Sequence, residues 1–315
     1  MVNRGANKDM ELINKRGVFF TVIILFFITL IALSPIFYSV IGEREAVQKR
    51  VQSMNSFILS MKEDLERKVY VTSFRSILII EKKITDSGIY ISNFNSSFQE
   101  VFFNATLAGV WQELMIGANF TDISNSLQQK AQNININLTL YDPELIIDQN
   151  SPWHINVTLK TKLFMVDNSN LASWNTTLVT EVQIPISSFE DPIYLVNTQG
   201  KITRQFLKTN YTNFAQGPDV SNLTDHVNRY YYKHSLSAPS FINRLQGVYA
   251  SSQNGIESLV YLPDLSKQGI PLEQKSVVDY IYFSPSNPSS YQISGMPSWF
   301  RLDSSHCPEY NVSCL

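Results

Sequence analysis

The chain has 315 residues and a net charge of -2, which leaves room for a membrane helix and one or two globular domains. It lacks the excess of Lys and Arg that binding to a phosphate backbone needs, so nucleic acid is excluded as an expected partner. Charged residues make up only 17%, while 19 Phe, 15 Tyr and 4 Trp are available for a core, which argues against a disordered chain.

An uncharged, mostly apolar run, Val18–Ile41, follows the polar residues 1–17. As a helix this run is about 36 Å long, enough to cross a hydrocarbon core of about 30 Å with some tilt. It is too long for the apolar core of a secretory signal, and no small-residue cleavage site stands at its end. We therefore predict a cytoplasmic leader or tail over 1–17 and a transmembrane helix over 18–41.

Two basic residues and a glycine precede the apolar run, in the order Lys15, Arg16, Gly17, Val18. This junction resembles the class III signal of type IV pilin-like proteins, in which a dedicated peptidase cuts after the glycine on the cytoplasmic side. The resemblance implies processing at these four residues, whereas the basic charge alone equally fits an uncleaved anchor. Val22 stands at the fifth mature position, where filament-forming pilins often carry Glu, so the resemblance does not extend to a filament subunit.

Residues 43–83 carry apolar side chains at alternating steps of four and three, which predicts a helix with one apolar stripe. The stripe consists of Val47, Val51, Met54, Ile58, Met61, Leu65 and Val69. Two interpretations are open: a stalk that pairs with a copy or a neighbour, and a helix that lies on its own domain. Because glycine is favoured just after a helix end, Ser87-Gly88 supplies the stop, and we assign 42–86 to an amphipathic stalk outside the membrane.

The remainder, 87–315, is predicted to be a β-rich extracellular domain. Apolar clusters between 94 and 132 fit one or two helices with a break at Gly117. Strict alternation then predicts a strand over Asn133–Leu140, and two further strands follow over Trp153–Val166 and Ser173–Ile186. Such an antiparallel meander buries one face, and the long N-terminal helix is a suitable cover for it. The fold class is therefore α+β, and this arrangement resembles that of pilin-like ectodomains.

Beyond the meander the pattern is less regular. We predict a polar helix over Leu223–Lys233 and a strand over Ser276–Phe283, which is rich in aromatic and β-branched residues. Together with Pro239–Leu245 and Asn254–Val260, the segment Ser276–Phe283 is similar to a group of uncharacterised, membrane-anchored archaeal proteins. That resemblance implies an archaeal source for the protein and indicates no activity or ligand.

Sequons and cysteines indicate which side of the membrane is out. Nine N-x-[ST] sequons follow the apolar run, at Asn95, Asn104, Asn119, Asn137, Asn156, Asn175, Asn210, Asn222 and Asn311. The only two cysteines, Cys307 and Cys314, predict a local disulfide in an exported domain. A zinc site at these cysteines would need further ligands, and His306 is the only candidate nearby in the sequence. We expect a cell-membrane protein with a cytoplasmic N-terminus and a glycosylated exterior domain.

No motif predicts catalytic, cofactor-binding or metal residues. The four histidines, His154, His226, His234 and His306, do not occur in HExxH, and the GxSxG, P-loop and GxGxxG patterns are missing. On the predicted helix, His226 and His234 would lie about 12 Å apart along the axis, too far to bind one ion. We therefore interpret them as polar surface residues.

Scattered carboxylates such as Glu181, Asp264 and Asp279 would have to converge in space to form a glycosidase pair. Arg244 and Glu257 lie among apolar neighbours and are predicted to form a buried pair that maintains the fold.

We therefore predict a pilin-like or envelope-anchored structural or adhesion protein of the cell surface that acts by binding and assembly, without enzymatic activity. Its expected partners are the lipid bilayer, envelope or pilus-like proteins, and a second copy through the 43–83 helix. An extracytoplasmic ligand-binding or sensor domain is the alternative, followed by an anchored envelope hydrolase.

Overall fold

The computed structural model describes the backbone of residues 6–314, while the side chains of 6–16, 36–41 and 43 lie outside the described part. Its helices are α1 (Ala6–Ser87), α2 (Phe94–Asn104), α3 (Phe120–Gln132), α4 (Pro192–Asn197), α5 (Ser221–Asn228), α6 (Phe241–Leu245), α7 (Leu262–Lys267), α8 (Asp279–Tyr282) and α9 (His306–Glu309). Its strands are β1 (Thr106–Leu107), β2 (Val110–Trp111), β3 (Ile136–Ser151), β4 (His154–Asp167), β5 (Ser173–Pro185), β6 (Leu207–Lys208), β7 (Tyr231–His234), β8 (Ile256–Ser258), β9 (Ser290–Gln292) and β10 (Arg301–Asp303). The predicted α+β class with antiparallel sheets is confirmed.

The apolar run belongs to α1, a helix of 82 residues and therefore about 120 Å long. Gly17–Pro35 is long and apolar enough to cross a membrane, and no part of it is buried in the fold. Side chains such as Phe20 and Leu25 are exposed because the described fold offers them no core. A segment of this kind serves as a membrane anchor or as a signal sequence. The predicted end of the span at Ile41 lies outside the described side chains.

From Met54 onward the apolar stripe of α1 is buried in the chain's own fold. Met54, Leu65 and Val69 have no exposed surface, whereas Val51, one step earlier, is 37% exposed. Helix α1 as a whole packs on the sheet at β5 and on helices α2, α3 and α4. Of the two interpretations of this stripe, the structure therefore shows the helix lying on its own domain from Met54 to Val69.

Arg50 fixes α1 at the edge of this packing. Its Nε atom bonds the carboxylate of Asp167, and its Nη2 atom donates to the carbonyls of Ile134 and Asn135 at 2.7 and 2.8 Å. The helix ends at Ser87, and the next residue, Gly88, has a φ of +65°, a backbone conformation that glycine adopts without strain.

Strands β3, β4 and β5 form the predicted antiparallel meander, in that order across the sheet. Strands β4 and β5 pair along their whole length without a register shift. In β5 the residues Leu178, Thr180, Val182 and Ile184 are buried on one face, and the alternate residues Val179, Glu181 and Gln183 are exposed. The first strand runs farther than the alternation predicts, to Ser151, because irregular pairing after Tyr141 lets it bend and continue.

Helices α2 and α3 lie on either side of Gly117, the predicted break, whose φ is +71°. Each helix begins at an asparagine whose side chain accepts a backbone N–H, Asn93 for α2 and Asn119 for α3. In α2, Phe94 and Phe98 lie four residues apart, so both rings reach the same buried face.

In the described part of the chain after β5, two small sheets and six short helices follow, and most of these helices pack around a second apolar cluster. In one sheet β6 runs parallel to β7 and β8 antiparallel to it, and in the other β9 pairs with β10. The first cluster joins α1 to residues as distant as Ile256. The division into 42–86 and 87–315 stays a prediction.

The strand predicted over Ser276–Phe283 is wrong. Only Val278 makes a bridge, to Leu259, and the following residues form the helical turn α8. The carboxylate of Asp279 accepts hydrogen bonds from Ser258 and Arg244 inside the fold, and these tertiary contacts override the local strand propensity.

The helix predicted over Leu223–Lys233 is too long. Helix α5 ends at Asn228, Tyr230 takes a φ of +57°, and Tyr231 begins strand β7. A polar stretch gives a weak helical period, so the pairing of β7 with β6 and β8 decides the structure of its second half.

Candidate functional site

A buried guanidinium joins three separate elements of the C-terminal half. Arg244, on α6, has no exposed surface. Its Nη1 atom lies 2.5 Å from the carboxylate of Asp191 and 3.0 Å from that of Asp279, and its Nη2 atom lies 3.2 Å from the second oxygen of Asp279. Nη2 also donates to the carbonyl of Ile256. One cation thus holds the N-cap of α4, the start of α8 and strand β8 together.

Burial and charge pairing set the titration of this cluster. Burial raises the pKa of Asp191 to about 6, against the lowering effect of Arg244. Burial alone would lower the pKa of Arg244, but Asp191 and Asp279 hold that pKa above its usual value. Ser258 donates its N–H and its hydroxyl to Asp279 at 3.0 and 2.7 Å. Because all three charged side chains are fully buried, the cluster holds the fold and faces no substrate.

Arg244 and Glu257 are both buried as predicted, but they do not pair with each other. Glu257 accepts a hydrogen bond from the hydroxyl of Tyr310 at 2.9 Å and lies 3.2 Å from the ammonium of Lys233. Its second oxygen lies 3.4 Å from Nε2 of His306. Glu257 therefore belongs to a second buried charge cluster.

His306 is the centre of that second cluster, with Asp303 at 2.8 Å on its Nδ1 side and Glu257 on its Nε2 side. Burial alone would lower the pKa of His306, but its hydrogen bonds with Asp303 and Glu257 outweigh burial and raise the pKa to about 10. Burial would raise the pKa of Glu257, yet His306 and Lys233 lower it to about 2. At neutral pH the imidazolium and both carboxylates are therefore charged.

Three potential metal ligands, on Glu257, His306 and Glu309, lie within 4.8 Å of one another. The ammonium of Lys233 lies among them, 3.2 Å from Glu257 and 2.7 Å from Glu309. A protonated imidazole has no lone pair for a metal, so Lys233 and His306 themselves supply the positive charge. The geometry favours an ion-pair network over a metal centre.

His226 is buried, so its assignment to the surface is wrong. Its ring has no exposed surface, and neither ring nitrogen has a hydrogen-bond partner among the described residues. The rings of Phe214 and Tyr310 lie 4.9 and 6.0 Å from it, centroid to centroid. Burial lowers the pKa of His226 to about 3, so its charged form disfavours folding as the pH falls below 6.5. His234 is exposed on β7, as predicted.

We expect the fold to lose stability as the pH rises from about 7 to about 10. The folded-state pKa of His306, about 10, lies above the ordinary 6.5, so its contribution is complete below pH 6.5 and disappears as the pH rises through 10. The expected loss is on the order of a few kcal/mol. Urea unfolding across this range measures it.

The variant His306→Gln lacks the titrating ring, so its stability is expected to be lower at pH 7 and flatter towards pH 10. His234→Gln changes an exposed histidine and serves as the control, with the pH dependence of the wild type. A His306→Gln variant that keeps the alkaline loss would contradict this assignment.

The structure pairs Cys307 with Cys314 in a disulfide whose Cα atoms lie 5.8 Å apart. Of the nine sequon asparagines, Asn119 and Asn156 are buried, with 9% and 7% exposure. The other seven are exposed: Asn95, Asn104, Asn137, Asn175, Asn210, Asn222 and Asn311. The folded chain thus leaves seven of the predicted glycan sites open to solvent.

The predicted processing junction lies within α1. The side chains of Lys15 and Arg16 lie outside the described residues, while Gly17 and Val18 are exposed. A peptidase that binds an extended chain would need this turn of the helix to open locally.

The three scattered carboxylates do not converge. Asp279 is buried beside Arg244, and Asp264 pairs with Arg204 at 2.7 Å. Glu181 lines an open groove between α1 and β5. The glycosidase arrangement considered from the sequence has no support in these positions.

The groove between α1 and β5 is a concave surface with a volume of about 960 Å³. It is lined by Glu63, Glu66, Arg67, Tyr70, Val71, Glu181, Val182 and Gln183. The groove is shallow and open, and no histidine or cysteine lines it. Its surface suits contact with another polypeptide.

No family model, curated protein or solved structure matches this chain. Sequence reasoning missed the two charge clusters, whose only signal was that charged residues such as Arg244 and Glu257 stand among apolar neighbours.

Proposed function

We propose that this chain is an envelope-anchored protein of the cell surface that acts by binding and assembly rather than by catalysis. The observation that carries the proposal is the fully exposed apolar segment Gly17–Pro35 at one end of α1, whose other end is part of the folded core. Exposed apolar side chains on three or more sides of a helix need lipid or another apolar partner.

The position of the folded part outside the cell is supported by two further features. A disulfide between Cys307 and Cys314 persists in an oxidising compartment. Seven of the nine sequons are exposed on the same side of the apolar segment, where glycans would be accepted.

The pilin-like architecture is supported by the continuity of α1. One helix passes from the basic junction through the apolar segment to the sheet that it covers. In this proposal 42–86 is an amphipathic stalk whose distal part is held in the β-rich ectodomain. The resemblance at Lys15-Arg16-Gly17 adds support for cleavage before Val18, while Val22 favours a minor or accessory component over a filament subunit.

Membrane anchoring makes a direct prediction. The double variant Ile24→Arg/Phe27→Arg is expected to lose most of its membrane association, because each arginine raises the cost of insertion by about 2.5 to 3.5 kcal/mol. Both side chains are exposed in the fold, at 56% and 58%, so folding itself should not change. The measurement is the fraction of protein that stays in carbonate-washed membranes.

Leu59→Arg is the matched control, because Leu59 is equally exposed on α1 but lies outside the apolar segment. It should leave the protein in the membrane fraction. Wild-type protein that washes off membranes would refute anchoring. The mass of the mature chain then distinguishes an uncleaved anchor, which keeps Met1, from the processed form that begins at Val18.

A further inference from the structure

Strand β5 has an unpaired outer edge. It pairs with β4 along 13 residues, and it is the last strand of its sheet. Among the described residues, no strand and no side chain hydrogen-bonds the backbone of β5 on the side away from β4. Such an edge presents a row of free N–H and C=O groups that another extended chain can pair with.

The opposite edge of the same sheet is protected. Strand β3 contains Pro143 and a register shift between Tyr141 and Glu144, which together interrupt any regular pairing. Side chains also occupy its backbone: Gln99 donates to the carbonyl of Leu145 at 3.2 Å, and Asn254 donates to that of Gln149. Strand β5 has none of these features between Ser173 and Ile184, so the two edges are built differently.

The open groove runs beside the second half of this edge. Its floor on the strand side is Glu181–Gln183, and its wall is the stretch of α1 from Glu63 to Val71. Three glutamates line it, Glu63, Glu66 and Glu181, against one arginine, Arg67. Arg67 also lies 3.6 Å from Asp64, which offsets part of its charge. The groove is therefore net acidic.

We propose that β5, from Val179 to Ile184, accepts an extended, positively charged segment of a partner protein as an additional strand. The backbone edge would supply main-chain hydrogen bonds, and the acidic groove would select basic side chains. This proposal rests on the proposed binding function and adds to it the binding surface and the charge of the partner segment. At about 1.5 Å per residue, Glu63 stands about 42 Å beyond Pro35, so lipid does not reach the groove.

A second copy of the chain is a poorer occupant. Pairing β5 with β5 would bring two acidic grooves together, and like charges across an edge are destabilising. The exposed side chains of this part of the strand, Val179, Glu181 and Gln183, also carry no positive charge. Charge complementarity thus favours a different, basic chain.

The test uses the full-length protein purified in detergent micelles and two synthetic heptapeptides with blocked ends. One peptide alternates Lys and Val, and the other alternates Glu and Val. Hydrogen exchange of the β5 amides is followed as each peptide is added. We expect the Lys peptide to slow exchange over Val179–Ile184, since added main-chain hydrogen bonds protect amides, and the Glu peptide to have no effect.

The triple variant Glu63→Lys/Glu66→Lys/Glu181→Lys should weaken binding of the Lys peptide at least about tenfold, since three favourable charge contacts become repulsive. The matched control reverses the same number of exposed charges away from the groove, at Glu45, Glu113 and Glu144. It should bind like the wild type.

Four results would overturn the proposal. The first is unchanged exchange in β5 at saturating Lys peptide. The second is equal protection by both peptides, and the third is an equal loss of binding in both triple variants; either would contradict selection of a cationic partner. The fourth is protection of β5 without peptide that grows with protein concentration, which would assign the edge to a second copy. None of these results bears on membrane anchoring, which the carbonate wash tests separately.

Discussion

Replacing Arg244 with alanine is expected to lower the free energy of unfolding by about 3 to 5 kcal/mol, the usual cost of removing one member of a buried ion pair. The substitution leaves the carboxylates of Asp191 and Asp279 buried without a cation, and burial penalises each of them. Because Arg244 connects α4, α8 and β8, the loss should appear in the whole C-terminal half. Urea unfolding at pH 7, followed by circular dichroism, measures it.

Arg229→Ala is the control for this experiment. Arg229 lies 2.8 Å from Asp225, but its side chain is 64% exposed, so the expected loss is less than about 1 kcal/mol. Similar losses for Arg229→Ala and Arg244→Ala would contradict the central place that the geometry gives to the buried guanidinium.

The variant Leu65→Ala is expected to cost about 2 to 5 kcal/mol of unfolding free energy, the range for truncating a fully buried leucine. Leu65 has no exposed surface, and it lies in the stripe of α1 that packs in the first apolar cluster. The substitution removes its apolar contacts and leaves a cavity between the helix and its neighbours. Thermal or urea unfolding of the two proteins gives the difference.

Leu59→Ala makes the same chemical change on the same helix at a side chain that is 58% exposed. The expected change is within about 0.5 kcal/mol, the usual limit for surface substitutions. If Leu65→Ala were as mild as Leu59→Ala, α1 would not be packed in the core, and the architecture described above would be refuted.

Elements with a strong local sequence signal were predicted correctly. The apolar run, the strand predicted over Ser173–Ile186 and the break at Gly117 all appear where the sequence places them. The strand signal repeats over neighbouring residues, and burial on one face preserves it. The short spacing of Cys307 and Cys314 likewise suggests their pairing.

The Arg244 cluster could not be predicted, because its members are distant along the chain. Arg244 reaches Asp191 across 53 residues and Asp279 across 35. No periodicity connects such residues, and only the folded chain brings them together. The same contacts explain the error at α8, where a tertiary hydrogen-bond network overrode an aromatic, β-branched sequence.

The different pKa values of the two buried histidines could not be predicted from the sequence either. His226 and His306 look alike in sequence, yet one has a pKa of about 3 and the other a pKa of about 10. Their surroundings differ: aromatic rings enclose the first, and two carboxylates flank the second. Residue type alone does not distinguish these environments.

The unbroken course of α1 has a mechanical meaning. The helix leaves the apolar segment at Pro35 and enters the core at Met54 without an intervening loop. In the proposed setting, a pull on the ectodomain would travel to the bilayer along one hydrogen-bonded backbone, with no slack linker to absorb it. Tension or torque on a bound partner would therefore be transmitted to the lipid bilayer. In the other direction, tilting of the anchor would move the acidic groove through a wide arc.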